Sequence, residues 1–161
     1  MAENKLSTID LNILRVLQEN GRMTYSALAE EVGLSTSPCM ERVKKLERLG
    51  VIRGYHAQVD PEVLNAGLVV LVQIRLDRKS RNIFREFSKA AARLPQVQEC
   101  FLVSGNFDYL IKARVADMRE YRDFLGDTLL TLPGVLESTT YVVMEEVKDT
   151  PVISIERAMQ N

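Results

Sequence analysis

Apolar and polar positions in the first 50 residues follow helical spacing in three successive stretches. The first stretch carries an apolar stripe at Ile9, Ile13, Val16 and Leu17. Ser7 and Asp10 stand at its start in the positions of a capping box, where each side chain satisfies the backbone N–H of the other residue. This pattern predicts a full amphipathic helix ahead of two shorter ones.

The second and third stretches are separated by a tight turn at Gly33 and Leu34. Thr24 is placed to cap the helix before the turn, and Ser35 is placed to cap the helix after it. Gly33 supplies the backbone freedom that a sharp corner requires, and Leu34 fills the angle between the helices. We therefore predict two short helices joined by a tight turn.

The third stretch has an apolar back and a polar, basic front. Cys39, Val43 and Leu46 share one face, whereas Pro38, Glu41, Arg42 and Lys45 project from another. Such a helix after a helix-turn corner suits the major groove of DNA. The alternative explanation is an ordinary helical hairpin with a solvated charged face.

Two neighbouring features favour the DNA interpretation. A β-prone segment, residues 51–59, follows Gly50 at the place where a wing would lie. Residues 1–34 hold three basic and five acidic side chains, whereas residues 35–60 hold five basic and three acidic ones. Residues 1–60 are therefore predicted to form a winged helix-turn-helix domain that binds double-stranded DNA. The candidate DNA-binding residues are Thr24, Ser35, Thr36, Ser37, Pro38, Arg42, Lys45, Arg53 and His56.

Residues 61–67 read as a connector, and a second domain is predicted over residues 68–161. Its pattern indicates a strand at 68–77, a helix at 83–94, a strand ending near 103, a strand at 108–115, a helix at 118–132 and a last strand reaching 147. Leu-Pro-x-Val recurs at Leu94 and Leu132, where each proline ends a helix and each valine begins a strand. The whole chain is thus predicted to be α+β, with a C-terminal ferredoxin-like βαββαβ domain.

The predicted sheet has apolar residues on both faces but helices on only one. Leu68 to Val72 and Tyr141 to Met144 are apolar on both sides of the pleat. The uncovered face should therefore pack against a second copy of the chain. A homodimer of this kind would pair two recognition helices about a two-fold axis.

Composition gives little support to catalysis, metal binding or membrane insertion. The formal net charge is −1, so any DNA binding depends on local charge rather than on the whole surface. His56 is the single histidine, and no Cys/His cluster or phosphate-binding glycine loop is present. Two cysteines and no long apolar run fit a protein of the reduced cytoplasm. We expect neither an enzyme nor a cofactor.

The turn at residues 104–108 is a candidate effector site, although Gly-Asn is also ordinary hairpin chemistry. An amino-acid ligand needs a carboxylate for its ammonium, backbone N–H groups for its carboxylate and an apolar pocket. Asp108, the amides near Gly105, and Leu102, Val142 or Met144 could supply these in turn. The candidate effector residues are Leu102, Val103, Ser104, Gly105, Asn106, Phe107, Asp108, Tyr109, Thr140, Val142 and Met144.

Long motifs throughout the chain resemble the Lrp/AsnC family of bacterial transcriptional regulators. They lie at residues 9–14, 32–35, 38–43, 102–109, 132–135 and 140–147. The resemblance implies a regulator of amino-acid metabolism whose effector is an amino acid such as leucine. It further implies dimers that assemble into octamers or larger rings associated with the nucleoid. By motif, Gly105 and Asp108 match the effector loop, whereas Asn106 replaces an acidic residue common in close relatives.

Three rival interpretations stay open at the level of sequence. The first is an amino-acid-sensing oligomer that does not bind DNA, and the second is a protein–protein adaptor. The third is a tetrapyrrole decarboxylase of the same two-domain outline, which the single His56 disfavours.

Overall fold

A computed structural model of the protein describes residues 6–77 and 79–156. The chain divides into two compact units, the second of which runs from Val59 to Val147. Among the described residues, the first unit joins residues 6–58 with residues 148–156. The sequence assigned the latter residues to the C-terminal domain, so this assignment differs from the structure. Side-chain bonding accounts for the difference, since Gln18 Nε2 donates to the Ile153 carbonyl at 3.1 Å and Ile153 N donates to Gln18 Oε1 at 2.7 Å.

The first unit contains the three helices that the pattern predicts. They are α1 (Thr8–Glu19), α2 (Tyr25–Glu31) and α3 (Thr36–Arg48). The capping box of α1 is present, because Ser7 Oγ accepts from Asp10 N at 3.2 Å and Asp10 Oδ2 accepts from Ser7 N at 3.0 Å. The small core between the helices is built from Ile13, Val16, Leu28, Ala29, Cys39, Val43 and Leu46.

The corner between α2 and α3 follows the predicted chemistry with one exception. Thr24 Oγ1 accepts from Ala27 N at 3.2 Å and so caps α2. Gly33 has a φ of 70°, a left-handed conformation that suits glycine, and Leu34 N donates to the Ala29 carbonyl at 2.8 Å. Ser35 occupies the N-cap position of α3 but its side chain makes no capping hydrogen bond, so the prediction of a hydroxyl cap there is wrong.

The β-prone segment 51–59 does not form a strand in the described structure, which corrects the expectation for this segment. Val51 N and Ile52 N donate instead to the Leu46 carbonyl at 3.0 and 3.2 Å, completing the last turn of α3. These two amide groups therefore complete the C-terminal turn of α3 and do not form the inter-strand hydrogen bonds of a β-sheet. Tyr55 then lies against Gly21 at the end of α1.

The second unit is a four-stranded antiparallel sheet with helices. Its elements are β1 (Leu68–Leu76), α4 (Ile83–Ala91), β2 (Val97–Leu102), β3 (Tyr109–Val115), α5 (Met118–Asp127), a short 3₁₀ helix (Leu129–Thr131) and β4 (Val135–Val142). The strand order is β2-β3-β1-β4, with antiparallel pairing throughout. This order confirms the predicted ferredoxin-like βαββαβ topology.

Three predicted ends in this unit are too long. Helix α4 ends at Ala91 and α5 at Asp127, after which the chain continues as the 3₁₀ turn. Strand β4 ends at Val142 rather than near residue 147. After Val143 the chain leaves the sheet. Glu146 Oε1 lies 2.6 Å from Arg114 Nη2, and Glu146 Oε2 lies 3.2 Å from Lys112 Nζ. Both cations belong to β3, which is not paired with β4, so these ion pairs direct the chain away from the edge of the sheet.

The helices pack on one face of the sheet. Alternate residues of β1 and β3 point into this core, where Val72, Ile111 and Phe87 are fully buried. The opposite face presents Leu71, half-exposed Tyr141 and half-exposed Phe101. This face carries no helix, and on it the apolar side chains lie beside charged ones such as Arg75, Lys112 and Glu137.

Candidate DNA-binding surface and effector site

Helix α3 turns a basic face away from the core of the first unit. Cys39, Val43 and Leu46 are buried, and the opposite side of the helix is exposed. That exposed side carries Ser37, Glu41, Lys44, Lys45 and Arg48. Lys44 and Arg48 are absent from the sequence-based candidates, although a 3.6-residue period counted from Cys39 places both opposite the buried stripe.

Arg42 does not share that orientation. Its Nη1 atom lies 2.9 Å from Asp10 Oδ1 and 3.3 Å from Ser7 Oγ, at the start of α1. The side chain is 38% exposed and the Asp10 side chain 11% exposed. The structure thus gives Arg42 a contact that holds α3 against α1, and the DNA contact predicted for it from the sequence stays a prediction.

This interaction also changes the acidity of Asp10. Burial alone would favour the neutral carboxyl group, but hydrogen bonds from Ser7 and the guanidinium of Arg42 outweigh it. The pKa of Asp10 is therefore lowered below its ordinary value of 3.8. At neutral pH the carboxylate stays charged and can bind both the capping amide and Arg42.

The start of α3 is open to solvent. Ser35, Thr36, Ser37 and Pro38 are all exposed, and the Ser35 hydroxyl is not used as a cap. The backbone N–H groups of a first helical turn carry partial positive charge and attract phosphate. Thr24 is exposed as well, but its hydroxyl is already bound to the amide of Ala27.

The segment after α3 is held by Tyr55. Its hydroxyl donates to Glu47 Oε1 at 3.0 Å, and its ring lies beside Gly21. Burial, followed by the neighbouring Glu47, raises the pKa of Tyr55 to about 12. Tyr55 therefore keeps its proton and its hydrogen bond near neutral pH. Arg53 and His56, the predicted wing contacts, are exposed on either side of this anchor.

In the second unit, the predicted effector loop is anchored by Asp108. This residue is 3% exposed, and its Oδ2 accepts from Leu76 N at 2.8 Å. Asp108 N donates to the Ile74 carbonyl at 2.9 Å. The carboxylate thus binds the backbone of β1 and holds the loop in place. The sequence suggested a different role, in which this carboxylate binds the ammonium of the ligand.

The loop borders a cavity of about 140 Å³. Its lining combines the loop with the facing part of β1 and β4, namely Gln73, Arg75, Asn106, Phe107, Glu137, Ser138 and Thr139. Asn106 and Phe107 are sequence-based candidates, whereas the strand residues are not. They come together only through the pairing of Gln73 with Thr139 and of Arg75 with Glu137, which no local motif reveals.

The other predicted effector residues are divided among different environments. Tyr109 is buried against Phe87, and its hydroxyl donates to the Phe84 carbonyl at 3.0 Å. Thr140 is hydrogen-bonded to the Tyr121 hydroxyl of α5. Exposed positions are occupied by Leu102, Ser104, Gly105, Val142 and Met144, and Val103 is partly buried. The structure therefore brings only part of the predicted set to the cavity.

Comparison with known proteins identifies both units. A winged helix-turn-helix DNA-binding domain matches residues 6–53, and the Lrp/AsnC ligand binding domain matches residues 69–153. The chain belongs to the Lrp/AsnC family. This membership confirms the resemblance that the sequence motifs suggest.

Similar Lrp/AsnC proteins cover almost the whole chain. The leucine-responsive regulatory protein of Haemophilus influenzae is 57% identical over 145 residues, which span 90% of this chain and 87% of the relative. The protein of the same name from Escherichia coli K12 is 53% identical, spanning 90% and 88%. A Neisseria meningitidis transcriptional regulator solved as an L-Met complex has a TM-score of 0.89 and 38% identity, with 94% of this chain and 98% of that chain covered.

A second solved structure, the AsnC family transcriptional regulator of Agrobacterium tumefaciens, gives a TM-score of 0.90 at 33% identity and covers 94% of this chain and 99% of that one. This Lrp/AsnC chain is accordingly a DNA-binding transcriptional regulator that responds to amino acids. The family consists of regulators, so the decarboxylase and the DNA-independent sensor are both set aside.

The described part of this Lrp/AsnC chain has neither a membrane-spanning helix nor a metal-binding cluster. Among residues 6–77 and 79–156, no helix combines the length and apolar character needed to cross a membrane. The same residues contain no group of three or more His, Cys, Asp or Glu side chains that could hold a metal ion.

Proposed function

We propose that this regulator reads operator DNA with the exposed front of α3 and responds to leucine or a similar amino acid bound in the cavity of the second unit. The observation that carries the DNA part is the division of α3 into a buried apolar back and an exposed basic front. Lys44, Lys45 and Arg48 lie on that front, next to an open helix N-terminus. Ser35, Thr36, Ser37 and Pro38 would meet phosphates or base edges, while Arg53 and His56 would meet the adjacent backbone.

Local charge is the driving force in this proposal, because the net charge of the chain is only −1. Each cation that neutralises a DNA phosphate releases condensed counterions and makes binding more sensitive to salt. Arg42 contributes indirectly, since its ion pair with Asp10 fixes the orientation of α3.

Assembly of several copies would multiply these contacts. Leu71, Tyr141 and Phe101 on the helix-free face of the sheet support a homodimer that pairs two copies of α3 on a two-fold axis. Further association of dimers to an octamer or a larger ring, and association with the bacterial nucleoid, belong to the same proposal. Sedimentation velocity at working concentrations tests the assembly, and a single subunit without DNA affinity contradicts it.

The effector part is supported by the names of relatives and by the cavity. Relatives are named leucine-responsive regulatory proteins, and a similar structure was solved with L-Met. In this chain the cavity adjoins the loop that carries Asn106 and Phe107. Linkage requires that the amino acid bind two assembly or DNA-binding states with different affinity.

The DNA proposal is tested by a double substitution, Lys44→Ala with Arg48→Ala. DNA selected from a random pool is titrated with the full-length chain by fluorescence anisotropy over a range of salt concentrations. We expect weaker binding and a log–log salt slope reduced by about one unit for each phosphate that the variant no longer neutralises. The matched control is Lys89→Ala with Arg93→Ala, which removes two exposed cations at the same spacing from the second unit.

An unchanged affinity and salt slope in the α3 variant would count against the proposed surface. The same titrations with and without leucine test the effector proposal, for which a leucine-dependent change in affinity or in the assembled mass is expected. If leucine and methionine both leave DNA binding, assembly and the heat of titration unchanged, the assignment of the effector class is wrong.

A further inference from the structure

The effector cavity contains one opposite-charge pair. Arg75 on β1 and Glu137 on β4 are register partners, and both line the cavity beside Asn106 and Phe107. The ladder shifts register between Arg75 and Leu76, so Leu136 has no partner on β1. A bulge of this kind bends an edge strand and redirects its side chains. Here it lies at the cavity.

The pair is weakly tied to the fold. Arg75 Nη2 donates to Glu137 Oε1, but the two side chains are 48% and 60% exposed. Exposed ion pairs contribute little to folding, because both ions are well solvated when apart. Each charged group can therefore exchange its present partner for a ligand of opposite charge without leaving a buried ion unpaired.

An α-amino acid presents the complementary charges. Its carboxylate matches the planar fork of a guanidinium, and its ammonium matches a carboxylate. The two charges of a zwitterion are joined by a single carbon, so a receptor needs its cation and anion close together. Arg75 and Glu137 meet this requirement because they already form an ion pair.

The other acidic candidate near the loop is engaged elsewhere. Asp108 is buried and accepts the amide of Leu76, and position 106 carries a neutral asparagine. Among the residues that line the cavity, Glu137 is the one carboxylate and Arg75 the one guanidinium. The ammonium of a ligand in this cavity therefore has one acidic partner available within the lining.

We infer that Arg75 and Glu137 are the specificity-determining residues of this cavity, binding the α-carboxylate and the α-ammonium of the amino-acid effector respectively. The inference rests on the proposed effector function and adds to it the groups that recognise the main-chain part of the ligand. Gln73, Asn106 and Thr139 surround these charges with uncharged hydrogen-bonding groups. Phe107 is the aromatic part of the lining and would contact the ligand's side chain.

The consequence is selectivity for zwitterions. A ligand that lacks its carboxylate leaves Arg75 without compensation and adds a second cation to the site. A ligand that lacks its ammonium leaves Glu137 without a cationic partner and adds a second anion to the site. Both analogues should bind more weakly than the amino acid itself, even though their side chains are identical.

The test crosses ligand analogues with protein variants. Isothermal titration measures leucine, leucinamide and N-acetyl-leucine against the wild-type chain, Arg75→Gln and Glu137→Gln, with the methionine series run in parallel. The wild-type chain should bind leucine at least tenfold more tightly than either analogue. Arg75→Gln should bind leucine and leucinamide alike, and Glu137→Gln should bind leucine and N-acetyl-leucine alike. Each variant thus loses discrimination only against the analogue that lacks the charge its substituted residue would bind.

Arg119→Gln, an exposed charge change on α5, serves as the matched control and should keep the wild-type discrimination. Arg75→Lys keeps the positive charge and should recover part of the preference for leucine over leucinamide. Thermal unfolding of every variant should stay close to that of the wild type, because the exchanged side chains are exposed in the single subunit, and sedimentation velocity should show that the variants keep the wild-type assembly.

Unchanged discrimination overturns the inference. If each variant discriminates between leucine and both analogues as strongly as the wild type, the two residues do not hold the ligand's charges. In that outcome leucine still binds, and the proposed effector function is retained. If no leucine or methionine binds to the wild type, the effector function itself fails, and the charge-pair assignment fails with it.

Discussion

At the residue scale, two carboxylates carry more of the structure than their sequence context suggests. Asp10 belongs to a capping box that could be predicted from Ser7 three positions earlier. Its ion pair with Arg42 could not be predicted, because the two residues meet only when α1 packs against α3. The loop motif marks Asp108 as a ligand group, and the structure instead buries it against β1.

Asp10→Asn tests the ion pair through pH. The folded-state pKa is lowered below 3.8, so the carboxylate stabilises the fold above its unfolded-state pKa, and this stabilisation is lost as the pH falls through the folded-state pKa. We expect urea unfolding to find the variant less stable by about 1 kcal/mol near pH 7. The difference should shrink below pH 3.8 and then disappear. Glu41→Gln, an exposed acid on α3, should show neither effect.

Asp108→Asn tests the buried anchor of the loop. An amide in place of the carboxylate weakens the charge-assisted bond from Leu76 N and brings a donor into a site that needs an acceptor. The free energy of unfolding should fall by roughly 1–3 kcal/mol, whereas Asp127→Asn at an exposed position should leave it nearly unchanged. Wild-type stability in Asp108→Asn would make this residue a candidate for direct ligand binding again.

At the element scale, periodicity predicted the order and type of nearly every helix and strand. It placed β1 and the starts of α4 and α5 where the structure has them. It failed where a contact outside the periodic pattern decides an end. Glu146 draws the chain off β4 toward β3, and the Leu46 carbonyl takes the amides that a wing strand would have used.

Two glycines in neighbouring elements should respond to alanine with opposite signs. Gly134 begins the approach to β4 with a φ of 74°, and a Cβ atom there would overlap the side chain of Ile83. Gly134→Ala should destabilise the fold by roughly 1–3 kcal/mol, from strain and overpacking together. Gly126 lies inside α5 with open space around it, so Gly126→Ala should stabilise by about 0.5–1 kcal/mol. Chemical denaturation gives the free energy of unfolding of both variants, and an equal change in the two would refute the backbone argument.

At the scale of the whole molecule, motifs were enough to identify two functional units but not to define their sites. The amphipathic helix proposed to read DNA could be predicted because its apolar back and basic front share one continuous segment. The cavity proposed to bind the effector could be predicted only in part, since Gln73 and Arg75 reach it through strand pairing with residues more than 60 positions away. The sequence pattern places the segment after β4 in the second domain, because no local pattern reveals that Ile153 is hydrogen-bonded to Gln18 of the first unit.

Ile153→Pro tests that bond. Proline lacks the N–H that donates to Gln18 Oε1, whereas Ile153→Ala keeps it and changes only a side chain that is 74% exposed. The proline variant should lose about 1 kcal/mol of stability in the first unit, and the alanine variant should lose much less. Hydrogen exchange of amides in α1 locates the effect, and equal exchange in both variants would show that the bond contributes nothing.

The pairing of Gln18 with Ile153 also concerns how the protein is made. A ribosome completes α1, α2 and α3 long before it reaches the codon for residue 153, and the entire sheet is synthesised in between. The unit whose helices are translated first therefore gains these two hydrogen bonds only after the whole sheet has been synthesised. A nascent chain still attached at the end of β4 has every helix of the DNA-reading unit, but not yet the segment that fastens the first of them.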